Sequence, residues 1–340
     1  MKVYYSEAHR QHEPPFEVFD GGLRTPYMEN PDRMDRILNA LRQTDWAQVV
    51  EPKEFGLNPI YAVHDKGYVD FLASSWTEWL ASEAEDKSTL LPATFALRRQ
   101  PQKPASLLGR AGYHMMDLSA CIVEGTYTAA LASANCALSA AEAIANGERS
   151  TFALCRPPGH HAGRDYAAGY CFINNASVAA NWLSMQGKVA VLDVDYHCGN
   201  GTQDIFYDRG DVLTISIHAD PDFEYPFYAG YAQETGSGAG LGFHKNFPLE
   251  KGTDDPRYFS ALDEALTLIR EFAPNHVVVS AGMDIYAEDP LGKIKVSTEG
   301  IGEIGQRISA LQLPTVIVME GGYNNEALGR NIVAFLSSFR

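Results

Sequence analysis

The sequence predicts an α/β fold in three layers, α/β/α, around a mostly parallel sheet, with residues 1–340 forming a single domain. Three observations lead there. Short apolar runs alternate with stretches of helical periodicity, the signature of strands joined by crossover helices. The runs are nearly continuous in apolar residues, as strands buried on both faces require. The unusual polar residues gather just past the ends of those runs, and in open parallel sheets ligands bind beyond the carboxyl ends of the strands.

The apolar runs are residues 2–5, 152–155, 189–194, 212–217, 276–280 and 315–319. Between them lie candidate helices. Residues 174–185 and 261–272 carry apolar stripes at helical spacing. Residues 127–146 are Ala-rich and apolar nearly all round, which predicts a buried helix stopped by Gly147. Residues 301–311 and 326–339 complete the series. Residues 75–125 break the rhythm, with acidic and basic clusters around Pro101 and Pro104, and read as an insertion. No internal repeat is present.

Twenty-seven basic against 43 acidic side chains give a net charge of -16. That argues against a nucleic-acid-binding surface, which needs clustered Lys and Arg. It is compatible with a cationic substrate, and equally with solubility or salt adaptation. The five cysteines are widely spaced with no CxxC pair, so neither a disulfide framework nor a thiolate zinc site is expected. No apolar run approaches the roughly 20 residues of a membrane helix. A cytoplasmic location, with no membrane and no nucleic-acid partner, is the expectation.

Five runs deliver chemistry to one edge. The run 152–155 leads to Arg156-Pro-Pro-Gly and the pair His160 and His161. The run 189–194 leads through Asp193 to Asp195 and His197; 212–217 leads to His218; 276–280 leads to Asp284; 315–319 leads to Glu320-Gly-Gly and Tyr323. On extended chain alternate residues share a side, so Asp193, Asp195 and His197 face one pocket while Val194, Tyr196 and Cys198 face away. Asp195 and His197 form a two-ligand clip for a divalent metal, and Asp284 can add a third ligand. Three protein ligands leave a position open, as in catalytic sites. The positions that would serve a second metal hold Gly199 and Tyr286, so one metal is expected. The adjacent histidines suit a general base and acid; Asp193 can orient one and Asn200 the other. A phenol at Tyr323 beside a metal suits a developing oxyanion. The glycine-rich stretch 236–240 does not join a strand to a helix, so no phosphate cradle is read there. His9, His12, His114, His244 and His276 show no partner pattern and read as surface or core residues.

RPPGHHA (156–162), GYCFINNA (169–176), DVDYHCGNGTQDIF (193–206), SIHADP (216–221), SAGMDIYAEDP (280–290) and EGGYN (320–324) together resemble the arginase–deacetylase superfamily, specifically its zinc-dependent histone deacetylase family. FEVFDGG (16–22), VHDKGYVDFL (63–72) and the insertion with FALRRQ (95–100) extend the likeness toward bacterial acetylpolyamine amidohydrolases. The resemblance implies Zn²⁺ on Asp195, His197 and Asp284, with Fe²⁺, Co²⁺ or Mn²⁺ as other acceptable metals. It implies His161 as general base and acid, His160 with Asp193 as its electrostatic partner, and Tyr323 as oxyanion donor. Tyr170 and Tyr225 would line the acyl channel, with Gly169 beside them. A structural K⁺ would sit near Asp193, Asp195, His197, Ser216 and Ile217, and Phe206 falls near a second. The chain departs from the family at Cys198, where most members have a second His, and at Asn200, where many have Asp.

The implied reaction is hydrolysis of N-acetylated polyamines or diamines, such as acetylputrescine and acetylcadaverine, to amine and acetate. The insertion implies a homodimer and a narrowed channel. Asp117, Glu124 and the acidic cluster at 83–86 are candidates to hold the distal ammonium. The alternatives are a protein lysine deacetylase, a metal-dependent ureohydrolase, which the missing second-metal ligands disfavour, and a non-catalytic acetyl-amine binding protein.

Overall fold

The structure is a computed structural model describing residues 1–19, 22–96 and 103–340. Eight strands form one parallel sheet: β1 (Lys2–Tyr4), β4 (Gln48–Val50), β5 (Ser150–Ala153), β6 (Val189–Asp193), β7 (Val212–Ala219), β8 (His244–Leu249), β9 (His276–Ala281) and β10 (Thr315–Met319). Their order is β4-β1-β5-β10-β9-β6-β7-β8, every neighbouring pair parallel. A separate antiparallel pair, β2 (Glu17–Phe19) and β3 (Leu23–Thr25), lies apart from it.

Alternation along the strands feeds two cores. Ala190 and Leu192, Val277 and Val279, and Ile317 and Met319 enter one cluster. There they meet α1 (Asp32–Leu41), α8 (Asp255–Phe272), α9 (Thr298–Ser309) and α10 (Leu328–Leu336). Val189 and Val191, Val278, and Val316 and Val318 enter the other. That cluster is closed by α3 (Lys66–Ala81), α5 (Thr126–Ala145) and α6 (Asn175–Ser184), with α2 (Asn58–Tyr61) and α4 (Leu107–His114) at its margin. This is the expected three-layer α/β/α arrangement. Each central strand residue is worth roughly 1.5–3 kcal/mol of apolar burial when large, so the pattern selects register strongly.

The six expected strands are present, and two more flank them. Both newcomers are edge strands: β4, which exposes Gln48 and Val49, and β8, whose first half reads His-Lys-Asn. Helix ends follow caps more than periodicity. The helix expected from 261 begins at 255, because the Asp254 side chain accepts from Arg257 N–H and Pro256 suits the first turn. The one expected from 301 begins at 298, capped by Ser297. The last helix, α10, is shorter than the expected 326–339.

The stretch 75–125 begins inside α3, whose N-cap Asp65 also binds Lys103 at 3.1 Å, and contains α4, tied back through an Arg110–Glu78 ion pair. Most of FALRRQ, at 97–100, and Asp20 and Gly21 of FEVFDGG lie outside the described residues.

Candidate active site

The chain leaving β6 is held by its own carboxylates. Asp193 Oδ1 accepts from Asp195 N–H at 3.0 Å, and Asp195 Oδ1 accepts from His197 N–H at 2.8 Å. Gly321 N–H donates to Asp195 Oδ2 at 2.8 Å and Tyr196 N–H to Asp284 Oδ1 at 2.9 Å, which ties β6, β9 and β10 together at their ends. A Cβ on Gly321 would stand 2.3 Å from Asp284 Oδ2, so only glycine lets the β10 turn approach this closely.

Asp195, His197 and Asp284 each offer a ligand atom within 4.8 Å of the others. His197 Nδ1 lies 3.4 Å from Asp195 Oδ1 and 3.2 Å from Asp284 Oδ2. Burial and the charge of Asp195 push the Asp284 carboxyl up to about 7. For Asp195 burial acts the same way, but His160 and His197 outweigh it and hold that carboxyl below its ordinary range. Crowded buried negative charge with a mixed N and O donor set fits a divalent cation. Val194 and Tyr196 pack into the core, and the buried Cys198 is not part of the triad.

The histidine pair stands over this triad, ring centroids 4.0 Å apart. His160 Nδ1 is 2.9 Å from Asp193 Oδ2, and His161 Nδ1 is 2.7 Å from Asn200 Oδ1. An amide oxygen only accepts, so His161 carries its proton on Nδ1 and keeps a lone pair on Nε2. The two environments diverge. Burial alone would lower His160, but Asp195 and Asp193 outweigh it and hold the imidazole well above its usual value. Burial, followed by the charges of His160 and His197, holds His161 well below. Such splitting marks one fixed cation and one neutral base.

A cavity of about 570 Å³ opens onto His161, His197 and Tyr323, walled by Tyr170, Tyr225 and the aromatic rim Phe95 and Phe227. Gly169 (φ 47°) and Tyr170 (φ 67°) are both left-handed. A Cβ on Gly169 would meet His161 Cδ2 at 2.4 Å, so this turn needs glycine twice over. Asp117 lines the same cavity, but its carboxylate is heavily engaged: Oδ2 accepts from Gly169 N–H at 2.7 Å and Tyr225 O–H at 2.6 Å, and Oδ1 from the amides of Ser119 and Ala120. It shapes the wall. Glu124 is exposed, and neither it nor residues 83–86 line the cavity.

The fifth expected contributor, His218, turns elsewhere. Its Nε2 meets the Gly230 carbonyl at 2.9 Å and its Nδ1 meets Ser216 Oγ at 2.7 Å. Asp193 and Ser216 are register partners across β6 and β7, and Ile217 is buried in the core beside them. Phe206 closes α7 (Asn200–Phe206), with the Arg209 guanidinium 5.3 Å from its ring. Of the histidines without a pattern, His9, His12, His114 and His244 are buried, and His276 is partly so.

Two residues that support the site, Arg33 and Glu29, gave no sequence signal. Buried Arg33 donates Nη2–H to the Glu320 carbonyl at 2.6 Å and Nε–H to the Gly322 carbonyl at 2.8 Å, and stands 5.0 Å over the Tyr323 ring. Glu29 Oε1 accepts from both Arg33 and Arg156. Glu320 Oε2 accepts from the amides of Gly159 and His160, fixing the histidine turn.

Glu17, on β2, accepts from Tyr170 O–H at 2.5 Å and from Met28 N–H at 2.9 Å. Burial pushes its carboxyl up to about 7 despite those donors. In the unfolded chain a Glu titrates near 4.3. The protonated form is therefore favoured by folding, and this contribution is full below about 4.3 and is lost as pH rises through about 7. Wild-type Tm should fall relative to Glu17→Gln as pH is raised from about 5 to about 8; parallel Tm curves would refute the assignment.

Residues 27–339 match the histone deacetylase domain family. Acetylpolyamine amidohydrolase 2 of Pseudomonas aeruginosa is 45% identical over 342 residues, covering 100% of this chain and 98% of the relative. Acetylpolyamine amidohydrolase of Mycoplana ramosa is 42% identical over 339 residues, covering 99% and 98%. The crystal structure of acetylpolyamine aminohydrolase from Burkholderia pseudomallei superposes with a TM-score of 0.96 at 42% identity, covering 100% of this chain and 98% of that one. The resemblance carried by the six motifs and the parallel three-layer fold both stand, and the chain belongs to the histone deacetylase domain family.

Proposed function

We propose that the protein hydrolyses N-acetylated polyamines or diamines to the free amine and acetate. The observation that carries this is the convergence on one cavity of His161, with its free Nε2, the Tyr323 hydroxyl, and His197 of the metal-fitting triad. Relatives aligned over nearly their full length bear the name acetylpolyamine amidohydrolase, which supports the substrate class.

Asp195, His197 and Asp284 would hold a single Zn²⁺, and a structural K⁺ belongs near Asp193 and Ser216. A divalent metal there supplies Lewis acidity, making a water acidic and polarising the acetyl carbonyl. The chain does the rest. His161 Nε2 takes the proton of the attacking water. The carbonyl oxygen, as it gains charge, accepts from the Tyr323 hydroxyl. When the C–N bond breaks, His161 returns the proton to the amine nitrogen. His160, held charged by Asp193, keeps its neighbour neutral and oriented. Tyr170 and Tyr225 admit a slender chain between their rings and exclude water.

The test compares kcat/KM for N-acetylputrescine, N-acetylcadaverine and an acetyl-lysine peptide on metal-reconstituted enzyme. Preference for the small diamines is the expected result. Preference for the peptide would move the protein to the lysine deacetylase reading, and tight binding without turnover would make it a binding protein.

A further inference from the structure

The channel proposed for a cationic amide contains a cation of its own. Lys293 lines the catalytic cavity with its side chain 45% exposed, and its Nζ lies 2.8 Å from Glu224 Oε2. Glu224 lines the same cavity but is only 12% exposed. The same oxygen accepts from Tyr196 O–H at 2.7 Å, and Oε1 accepts from Tyr225 N–H at 3.2 Å. Glu224 is therefore anchored from behind by Tyr196 and joined to Tyr225, whose ring stands 4.9 Å from His161. Among the described residues the other carboxylate lining this cavity is Asp117, and its described partners are neutral donors. Glu224 alone of the two meets a cation, and that cation is a long, half-exposed side chain whose far end can leave.

A lysine head and the free end of a diamine are the same chemical group, an ammonium on a methylene chain. Whatever bonds Lys293 makes to Glu224, a substrate ammonium can make in its place. We infer that Glu224 is the seat of the distal ammonium of the substrate and that Lys293 is a resident competitor, displaced on binding, which sets how strongly the enzyme favours cationic over neutral amides. This rests on the polyamine reading of the site. Neither residue is among the proton-transfer, oxyanion or metal-holding groups, so both should act on KM and leave kcat in place.

The experiment measures kcat and KM for N-acetylputrescine and for its neutral isostere N-pentylacetamide, with wild type, Lys293→Met, Glu224→Gln and the double variant. Lys293→Met is expected to raise the preference for the cationic amide roughly three- to fivefold, through KM. Glu224→Gln is expected to lower it roughly tenfold, and in that background Lys293→Met should add nothing. A preference unmoved or lowered by Lys293→Met overturns the inference. A gain that persists undiminished beside Glu224→Gln overturns it too, since simple repulsion would then explain it. If the Glu224 variant does not fold, competitive inhibition by putrescine should tighten in Lys293→Met by the same three- to fivefold factor, and unchanged inhibition would refute the competition. A wild-type enzyme inactive on N-acetylputrescine would overturn the polyamine reading and this inference together. An active one with an unmoved preference would overturn the inference alone.

Discussion

His161→Ala is expected to lose roughly 100- to 10,000-fold in kcat, with its fold and metal content intact. The size follows from the environment of the ring. His161 is 4% exposed, its Nδ1 is committed to Asn200, and burial together with the charge of the neighbouring His160 keeps it neutral. It is thus poised to accept a proton on Nε2, the atom left for the substrate. His160 is the poorer base, because its Nδ1 is paired with Asp193 at 2.9 Å and the nearby carboxylates favour its protonated form. Replacing His161 leaves Asp195, His197 and Asp284 untouched, so metal per chain measured by atomic emission should match wild type. A kcat within tenfold of wild type, with metal present, would move proton transfer to another group.

The parts of the fold that the sequence announces are those whose environment is uniform. β6, β9 and β10 lie in the middle of the sheet and are buried on both faces. Their apolar runs have no other explanation. β8 reads His-Lys-Asn-Phe-Pro-Leu because an edge strand answers to only one neighbour, and β4 is three residues long. Neither pattern rises above that of a loop. Within 75–125 the chain is amphipathic only in pieces, so α3 and α4 were hidden by the charged stretches beside them.

The site was legible where side chains cluster in sequence. Asp193, Asp195 and His197 lie two apart, but only His197 lines the cavity; Asp195 joins it in the triad, Asp193 turns to His160, and beyond the end of β6 at Asp193 the chain is held by carboxylate-to-amide hydrogen bonds. Arg33 was illegible for the opposite reason. A lone Arg on an amphipathic helix reads as surface, yet Arg33 is fully buried and braces a turn 287 residues away through a backbone carbonyl. Glu17 and Glu224 are likewise single acids whose partners, Tyr170 and Lys293, come from distant segments. Long-range pairing of isolated charges leaves no periodic trace.

Tyr323→Phe is expected to lower kcat by roughly 100- to 1000-fold while KM changes little. The substitution removes one oxygen and nothing else. The Tyr323 ring stays packed 5.8 Å from Tyr170 and 5.0 Å from the Arg33 guanidinium, and the Tyr323 backbone N–H stays on Asp289 Oδ2 at 2.7 Å. Among the described residues the hydroxyl has no hydrogen-bond partner, so its loss orphans no buried group and Tm should barely move. A neutral amide carbonyl gains little from such a donor, and an oxygen acquiring full negative charge gains much. The effect should therefore fall on the chemical step, visible in single-turnover rates. If instead KM rises with kcat unchanged, the hydroxyl holds the resting carbonyl, and the oxyanion must be stabilised by the metal site alone.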